Sequence, residues 1–254
     1  LSAINSINWA RLMPQVVYYF AAALRLGAPA KKVAFSVPTG NFGNVFAGYV
    51  AVQMGLPVER LIIASNQNDI LPRFFASGAM SRESVVPSLS PSMDIQVSSN
   101  FERLLFELLD RDGSATADVM KQFAETGQFH VDNSVLARAK ALFSAYRLDD
   151  DGTIAEIAAT AKQNNMTIDP HSAVGVYAAR QAHADGTVPV DVSIVALACA
   201  HPAKFDAAVT KATRVAPKLP PHLANLMKRP ERQQHVVATV DAVKSLVLDM
   251  KRGA

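Results

Sequence analysis

One cysteine, Cys199, stands in 254 residues. No disulfide can form within the chain, and a reducing, cytoplasmic setting is expected. Long apolar runs are also missing. The longest, Val16-Val17-Tyr18-Tyr19-Phe20-Ala21-Ala22-Ala23-Leu24, is well short of the roughly 20 residues that cross a bilayer, so no membrane span is expected. No secretory signal is expected. Charge of one sign is scarce too: 25 Lys and Arg against 22 Asp and Glu give a net +3. No basic stripe with interleaved aromatics is present, which argues against a nucleic-acid partner. Lys228-Arg229-Pro230-Glu231-Arg232 reads as solvated surface. The six histidines show no metal-ligand spacing such as H-E-x-x-H, and no G-x-S-x-G elbow occurs. There is no internal repeat. What is present is a chain half hydrophobic, enough to bury a substantial core in one large domain or two small ones. It begins at Leu1 on a strand-like run, and a piece of a longer protein is expected.

The periodicity predicts alternating strands and helices. Residues 1–4 read as a strand end, Asn8–Leu26 as a helix stopped by Gly27, Val33–Val37 as a strand and Asn44–Met54 as a helix. Arg60–Ala64 reads as a strand, and Asn68–Ala76 as a helix ended at Gly78. This order predicts βαβ units and a mostly parallel sheet. The middle changes character, with helices over Asn100–Asp110, Ala115–Thr126, Asp132–Tyr146 and Thr153–Asn164. It reads as a helical insertion or cover over about 100–164, flanked by a core of about 1–99 and 165–210. His171–Ala184 follows as a helix, and Val192–Ala198 as an apolar strand. A last helix over about 239–251 has Val240, Val243, Leu246 and Leu248 for a buried face.

One stretch carries chemistry. Val33–Val37 breaks at Pro38 into Thr39-Gly40-Asn41-Phe42-Gly43-Asn44, where a helical pattern starts. The first N–H groups of a helix have no backbone partner, and the helix dipole favours an anion there. Gly40 and Gly43 let the backbone turn sharply and approach a ligand closely. The pattern fits a phosphate cradle and equally an ordinary strand-to-helix turn. A second group, Asn5, Ser6, Asn8 and Arg11, sits where a strand gives way to a helix. It can turn several donors towards one anion, with Arg11 as a planar fork; helix capping plus a surface arginine is the other reading.

Pro38-Thr39-Gly40-Asn41-Phe42-Gly43-Asn44 resembles the loop with which threonine synthases hold the phosphate of pyridoxal phosphate (PLP). Six further segments resemble the bacterial and fungal type of that family, in the same order. They are Asn5-Ser6-Ile7-Asn8-Trp9-Ala10-Arg11, Asn66-Gln67-Asn68-Asp69-Ile70-Leu71, Ser90-Pro91-Ser92-Met93-Asp94-Ile95, Ser99-Asn100-Phe101-Glu102-Arg103, Asp169-Pro170-His171-Ser172-Ala173-Val174-Gly175 and Ala200-His201-Pro202-Ala203-Lys204-Phe205. The resemblance implies a three-layer α/β fold of the PLP fold-type-II kind, similar to the tryptophan synthase β chain. It implies a PLP-dependent carbon–oxygen lyase that converts O-phospho-L-homoserine and water to L-threonine and phosphate. Gly40, Asn41, Phe42, Gly43 and Asn44 would hold the cofactor phosphate, and Ser6, Asn8 and Arg11 the substrate phosphate.

Cys199 stands where the family usually has threonine, so the resemblance implies a neutral group facing the pyridine nitrogen; a small buried core residue is the other reading. Asp169 or Ser172 reads as a helix cap, His201 and Lys204 as packing or capping residues, and Asn66, Asn68 and Asp69 as ligand-side residues or caps of the next helix. The family's Schiff-base lysine lies upstream in a Phe-Lys-Asp-like context, and no such context occurs here. The expectation is therefore the C-terminal part of the enzyme, inactive alone and completed by the remaining N-terminal part. Two alternatives are another fold-type-II lyase or dehydratase and a non-catalytic threonine-synthase-like homologue. No metal is expected.

Overall fold

The computed structural model describes residues 5–231 and 233–252. The elements run α1 (Trp9–Arg25), β1 (Val33–Pro38), α2 (Gly43–Gln53), β2 (Val58–Ser65), α3 (Ile70–Ser77), β3 (Ala79–Ser81), α4 (Phe101–Leu108), α5 (Gly113–Thr126), β4 (Gln128–His130), α6 (Asn133–Leu142), β5 (Phe143–Arg147), α7 (Asp150–Asn164), α8 (Pro170–Ala184), β6 (Ser193–Ala196), α9 (Asp206–Thr213) and α10 (Val240–Arg252). The chain divides after Pro217 into two compact units. The expected strand end over 1–4 lies outside the described residues.

In the first unit a four-stranded parallel sheet has the order β5-β2-β1-β6. Side chains alternate across it because successive residues of a strand point to opposite faces. Val33, Phe35 and Val37 of β1 join Leu61 and Ile63 of β2 in one core, packed under α1, α2, α3 and α4. Ala34, Ile62 and Ala64 face the other way onto Val174, Ala178 and Ala182 of α8. Helix, sheet and helix make three layers, as the family resemblance implies, and the sheet is parallel, as the strand–helix alternation predicts. With both faces covered, β1 is buried along its whole length. The residue after each parallel strand therefore opens at one edge of the sheet, where open α/β sheets bind ligands.

The structure departs from the sequence reading at three places. Asp132–Tyr146 is not one helix: α6 ends at Leu142, and Phe143–Arg147 becomes β5, paired with β2 from Leu61↔Phe143 to Ser65↔Arg147. The Ala-rich helical pattern runs into a strand whose partner lies far upstream, so local periodicity cannot show the change. The helix-rich stretch 100–164 also supplies β4, which pairs antiparallel with β3. In the second unit, the face expected to be buried on the last helix is exposed at Val240, Val243 and Leu248. Among the described residues, no helix is long and apolar enough to cross a membrane.

Candidate active site

The loop after β1 is shaped by its neighbours. Thr39 N–H continues the strand pairing to Ala64 O at 2.8 Å, and its Oγ1 donates to Val37 O at 2.6 Å. Phe42 takes the left-handed conformation, φ 64°, which is unfavourable for a residue with a Cβ. Its ring offsets that cost. It is buried edge-on against Phe101, centroids 5.2 Å apart, and packs near Phe143. Neither Gly40 nor Gly43 has positive φ, so turning freedom is not what demands glycine. Close approach is. A Cβ on Gly40 would lie 2.8 Å from Ser92 O, and one on Gly43 would lie 2.5 Å from Ser6 Cβ. The expected approach to a ligand is thus joined by an approach between protein segments. No side chain caps α2 and no acidic residue sits in its first turn. Its N-terminal N–H groups and its dipole are left facing the cleft.

The motif at 99–103, with Ser98 just before it, stitches this loop in place. Ser98 Oγ donates to Gly40 O at 2.7 Å. Asn100 donates to Asn41 O from its backbone N and from Nδ2, both at 3.0 Å, and Nδ2 also reaches Ser6 Oγ at 2.9 Å. Asn100 stands at the N-cap position of α4 but makes no capping bond; its amide is committed to the loop. Asn66 and Asn68 also do not cap α3. Their Nδ2 atoms reach Asp94 Oδ1 at 2.7 and 3.1 Å. Asp69 pairs with Arg73 at 2.9 Å instead of capping. These residues pin the 86–94 loop that presents Ser92.

Ser6 and Arg11 line a cleft of about 260 Å³ together with Thr39, Gly40, Asn41, Gly43, Asn44 and Ser92. Arg11 is exposed and makes no ion pair among the described residues. Asn8 is the N-cap of α1, its Oδ1 accepting from Ala10 N at 3.0 Å, a satisfied helix start worth about 1 kcal/mol. Asn44 is oriented by two residues that sequence reading did not single out. Tyr18 and Tyr19 both donate to its Oδ1, and Tyr19 also donates to its backbone oxygen at 2.9 Å. Burial raises both phenols, so they remain donors. With Oδ1 held this way, the Nδ2 donors of Asn44 point elsewhere.

Cys199 lines two further clefts, one shared with Asn44, Gln15 and Tyr18, the other with Pro38, Gly40, Ser92, His171 and Lys204. The structure therefore brings Cys199 beside the loop. The residue is solvent-exposed yet enclosed by the cleft walls. That enclosure, followed by the charge of Asp169, pushes its thiol up to about 12. Its backbone is fixed from below. Cys199 N donates to Ser172 Oγ at 3.1 Å, and Ser172 Oγ donates to buried Asp169. Asp169 caps α8 through His171 N at 2.9 Å, as expected, and holds His171 Nδ1 at 3.0 Å. Burial alone would raise the Asp169 carboxyl, but the bonds from His171 and Ser172 outweigh it and hold the group below its ordinary value. Because Ser92 N donates to His171 Nε2 at 3.2 Å, the proton sits on Nδ1. His201 caps the turn after β6, accepting from Ala203 N. Nothing in the sequence marks the tie from the Ser92 loop through His171, Asp169 and Ser172 to Cys199, because that link is tertiary. No cluster of metal-ligating side chains exists among the described residues.

A family model described as the threonine synthase C-terminal region matches residues 172–247. The chain is 52% identical over 233 residues to a threonine synthase of Pseudomonas aeruginosa, covering 91% of this chain and 49% of that protein. A PLP-bound threonine synthase from Brucella melitensis superposes with a TM-score of 0.90 at 50% identity, over 97% of this chain and 52% of the other. A yeast threonine synthase gives 0.91 at 35% identity, over 100% and 54%. The chain thus spans about half the length of the relatives it matches.

Proposed function

We propose that this chain, which belongs to the threonine synthase family and carries its C-terminal region, supplies the phosphate-holding side of a PLP site in an enzyme that converts O-phospho-L-homoserine and water to L-threonine and phosphate. The observation that carries this reading is the uncapped N-terminus of α2 opening into a cleft that it shares with Ser6 and Arg11. PLP fits there on chemical grounds. Its phosphate needs N–H donors and positive potential, which a helix N-terminus supplies. When bound, PLP acts as an electron sink for charge developing at the substrate α-carbon.

The residues of the chain then divide the work. Backbone N–H groups of Gly40–Asn44 and the amide of Asn44 hold the cofactor phosphate. Arg11, with Ser6 and Asn8, receives the substrate phosphate, Asn8 while also capping α1. Cys199 presents a neutral partner to the pyridine nitrogen. A thiol pushed up to about 12 stays uncharged at neutral pH, as that role requires. The chain has no lysine in a Phe-Lys-Asp context, so the amine that anchors PLP is assigned to the rest of the enzyme. A surface for that remainder exists. Trp9, Met13, Val17 and Leu24 form one exposed apolar stripe on α1, from 46% to 66% exposed. It lies apart from the Arg11, Gln15 and Tyr18 face that lines the clefts.

The test is turnover by the complete enzyme given O-phospho-L-homoserine. Threonine and phosphate should appear in equal amounts. Ammonia and a keto acid from an unphosphorylated hydroxy amino acid would indicate a dehydratase, and no turnover of either would indicate a non-catalytic homologue.

A further inference from the structure

We propose that Arg103 is a positioning residue that sets the substrate-phosphate segment, Ser6 to Arg11, against the cofactor loop; this rests on the reading of the two phosphate sites given above. Arg103 lies on α4, outside both anion-binding segments. Its Nη2 donates to Ile7 O at 2.7 Å and its Nε to Asn100 Oδ1 at 3.1 Å. Its guanidinium lies over the Trp9 ring, 5.8 Å from the centroid. One side chain thus touches the backbone before Asn8 and the indole after it.

The bond to Asn100 has a second effect. An amide has one oxygen and one nitrogen end. With Oδ1 held by Arg103, Nδ2 must face Ser6 Oγ at 2.9 Å and Asn41 O at 3.0 Å. Asn100 is buried, 1% exposed, so the reversed amide would leave unpaired donors and acceptors with no water to satisfy them. Ser6 is held so close to Gly43 that a single added Cβ would collide with it. Among the described residues, the hydrogen bonds that tie 5–7 to the body of the fold beyond α1 run through Asn100 and Arg103. Arg103 therefore fixes where Ser6 sits and how the chain enters α1, and so where Arg11 points. Lysine could replace one of the two donors but has no planar face for the indole.

The experiment compares wild type, Arg103→Met, Arg103→Lys and Glu102→Gln. Glu102 is the exposed neighbour, with no hydrogen bond or ion pair among the described residues, and serves as control. In the complete enzyme, Arg103→Met should raise KM for the phosphorylated substrate and the inhibition constant of inorganic phosphate about tenfold each, the loss expected for hydrogen bonds to a charged group. It should leave kcat within about threefold and the PLP dissociation constant unchanged. Arg103→Lys should fall between, and Glu102→Gln should match wild type. Trp9 is the sole tryptophan of this chain. Its emission in the 254-residue chain should respond to inorganic phosphate, with the midpoint moved upward in Arg103→Met. Unchanged KM and phosphate inhibition in Arg103→Met would overturn the proposal, as would PLP affinity falling in step with KM, which marks general loosening. A wild type that neither turns over the substrate nor responds to phosphate would overturn the functional reading itself, and this inference with it.

Discussion

Arg11 and Cys199 decide the chemistry at the scale of single residues. Arg11 is exposed in a cleft with no carboxylate paired to it among the described residues, so its positive fork is available to a phosphate. Arg11→Ala should cost about 2–4 kcal/mol in kcat/KM for the phosphorylated substrate, the range for removing one member of a charge pair that becomes buried when substrate fills the cleft. PLP affinity should hardly change, and lysine should rescue only in part. Steady-state kinetics with a PLP titration checks both. For Cys199 the prediction concerns pH. The cleft walls around it and the charge of Asp169 raise its thiol to about 12, and the thiolate is the species that reacts. The alkylation rate should therefore climb about tenfold per pH unit from 8 to 10, with no plateau near the ordinary thiol value. Bound PLP should slow it by blocking access. Cys199→Thr should remain active, whereas Cys199→Asp should be impaired, because a carboxylate favours a protonated ring nitrogen. A plateau near pH 9 and equal rates with and without PLP would place Cys199 away from the ring. The residue types were legible in the sequence because the motifs stood in order. The partners of Asn100, Tyr18, Tyr19 and His171 were not, since each link joins segments far apart in the chain.

At the scale of elements, the junction of β1, loop and α2 is the part most constrained. In the sequence, Gly43 reads as a residue for turning the backbone and approaching a ligand, and the Ser6 to Arg11 group stands apart from it. The structure ties the two sites together, because a Cβ on Gly43 would displace Ser6. Gly43→Ala should therefore weaken PLP binding and also raise KM for the phosphorylated substrate, each by about tenfold, the scale of losing a charged hydrogen bond. Gly113→Ala is the matched control. A Cβ there meets open space, and alanine is the better helix residue. Absorbance titration of PLP and KM measurements on both variants are decisive: a normal KM in Gly43→Ala would separate the sites again. The buried strands were readable as apolar runs bounded by Pro and Gly. β5 was not, because Phe143-Ser144-Ala145-Tyr146-Arg147 extends a helical pattern and becomes a strand only by pairing with β2. The apolar face of α10 was read as buried from its spacing alone, and spacing says nothing of whether a partner covers it.

For the whole molecule, the first unit has a three-layer parallel sheet with both faces covered, and a site whose walls belong to α1, the β1–α2 loop, the 86–94 loop and the start of α8. On the proposed reading, the groups that hold phosphate belong to this chain and the amine that anchors PLP to the rest of the enzyme. The isolated chain should bind PLP weakly, through its phosphate, and should make no threonine. The proposed function divides one active site between this chain and the rest of the enzyme. Borohydride reduction of the PLP-loaded complete enzyme followed by peptide mapping locates the anchoring amine. One stoichiometric pyridoxyl-lysine is expected in a peptide outside this chain, with residues 1–254 unlabelled. A stoichiometric pyridoxyl-lysine within residues 1–254 would place the anchor in this chain and overturn the division.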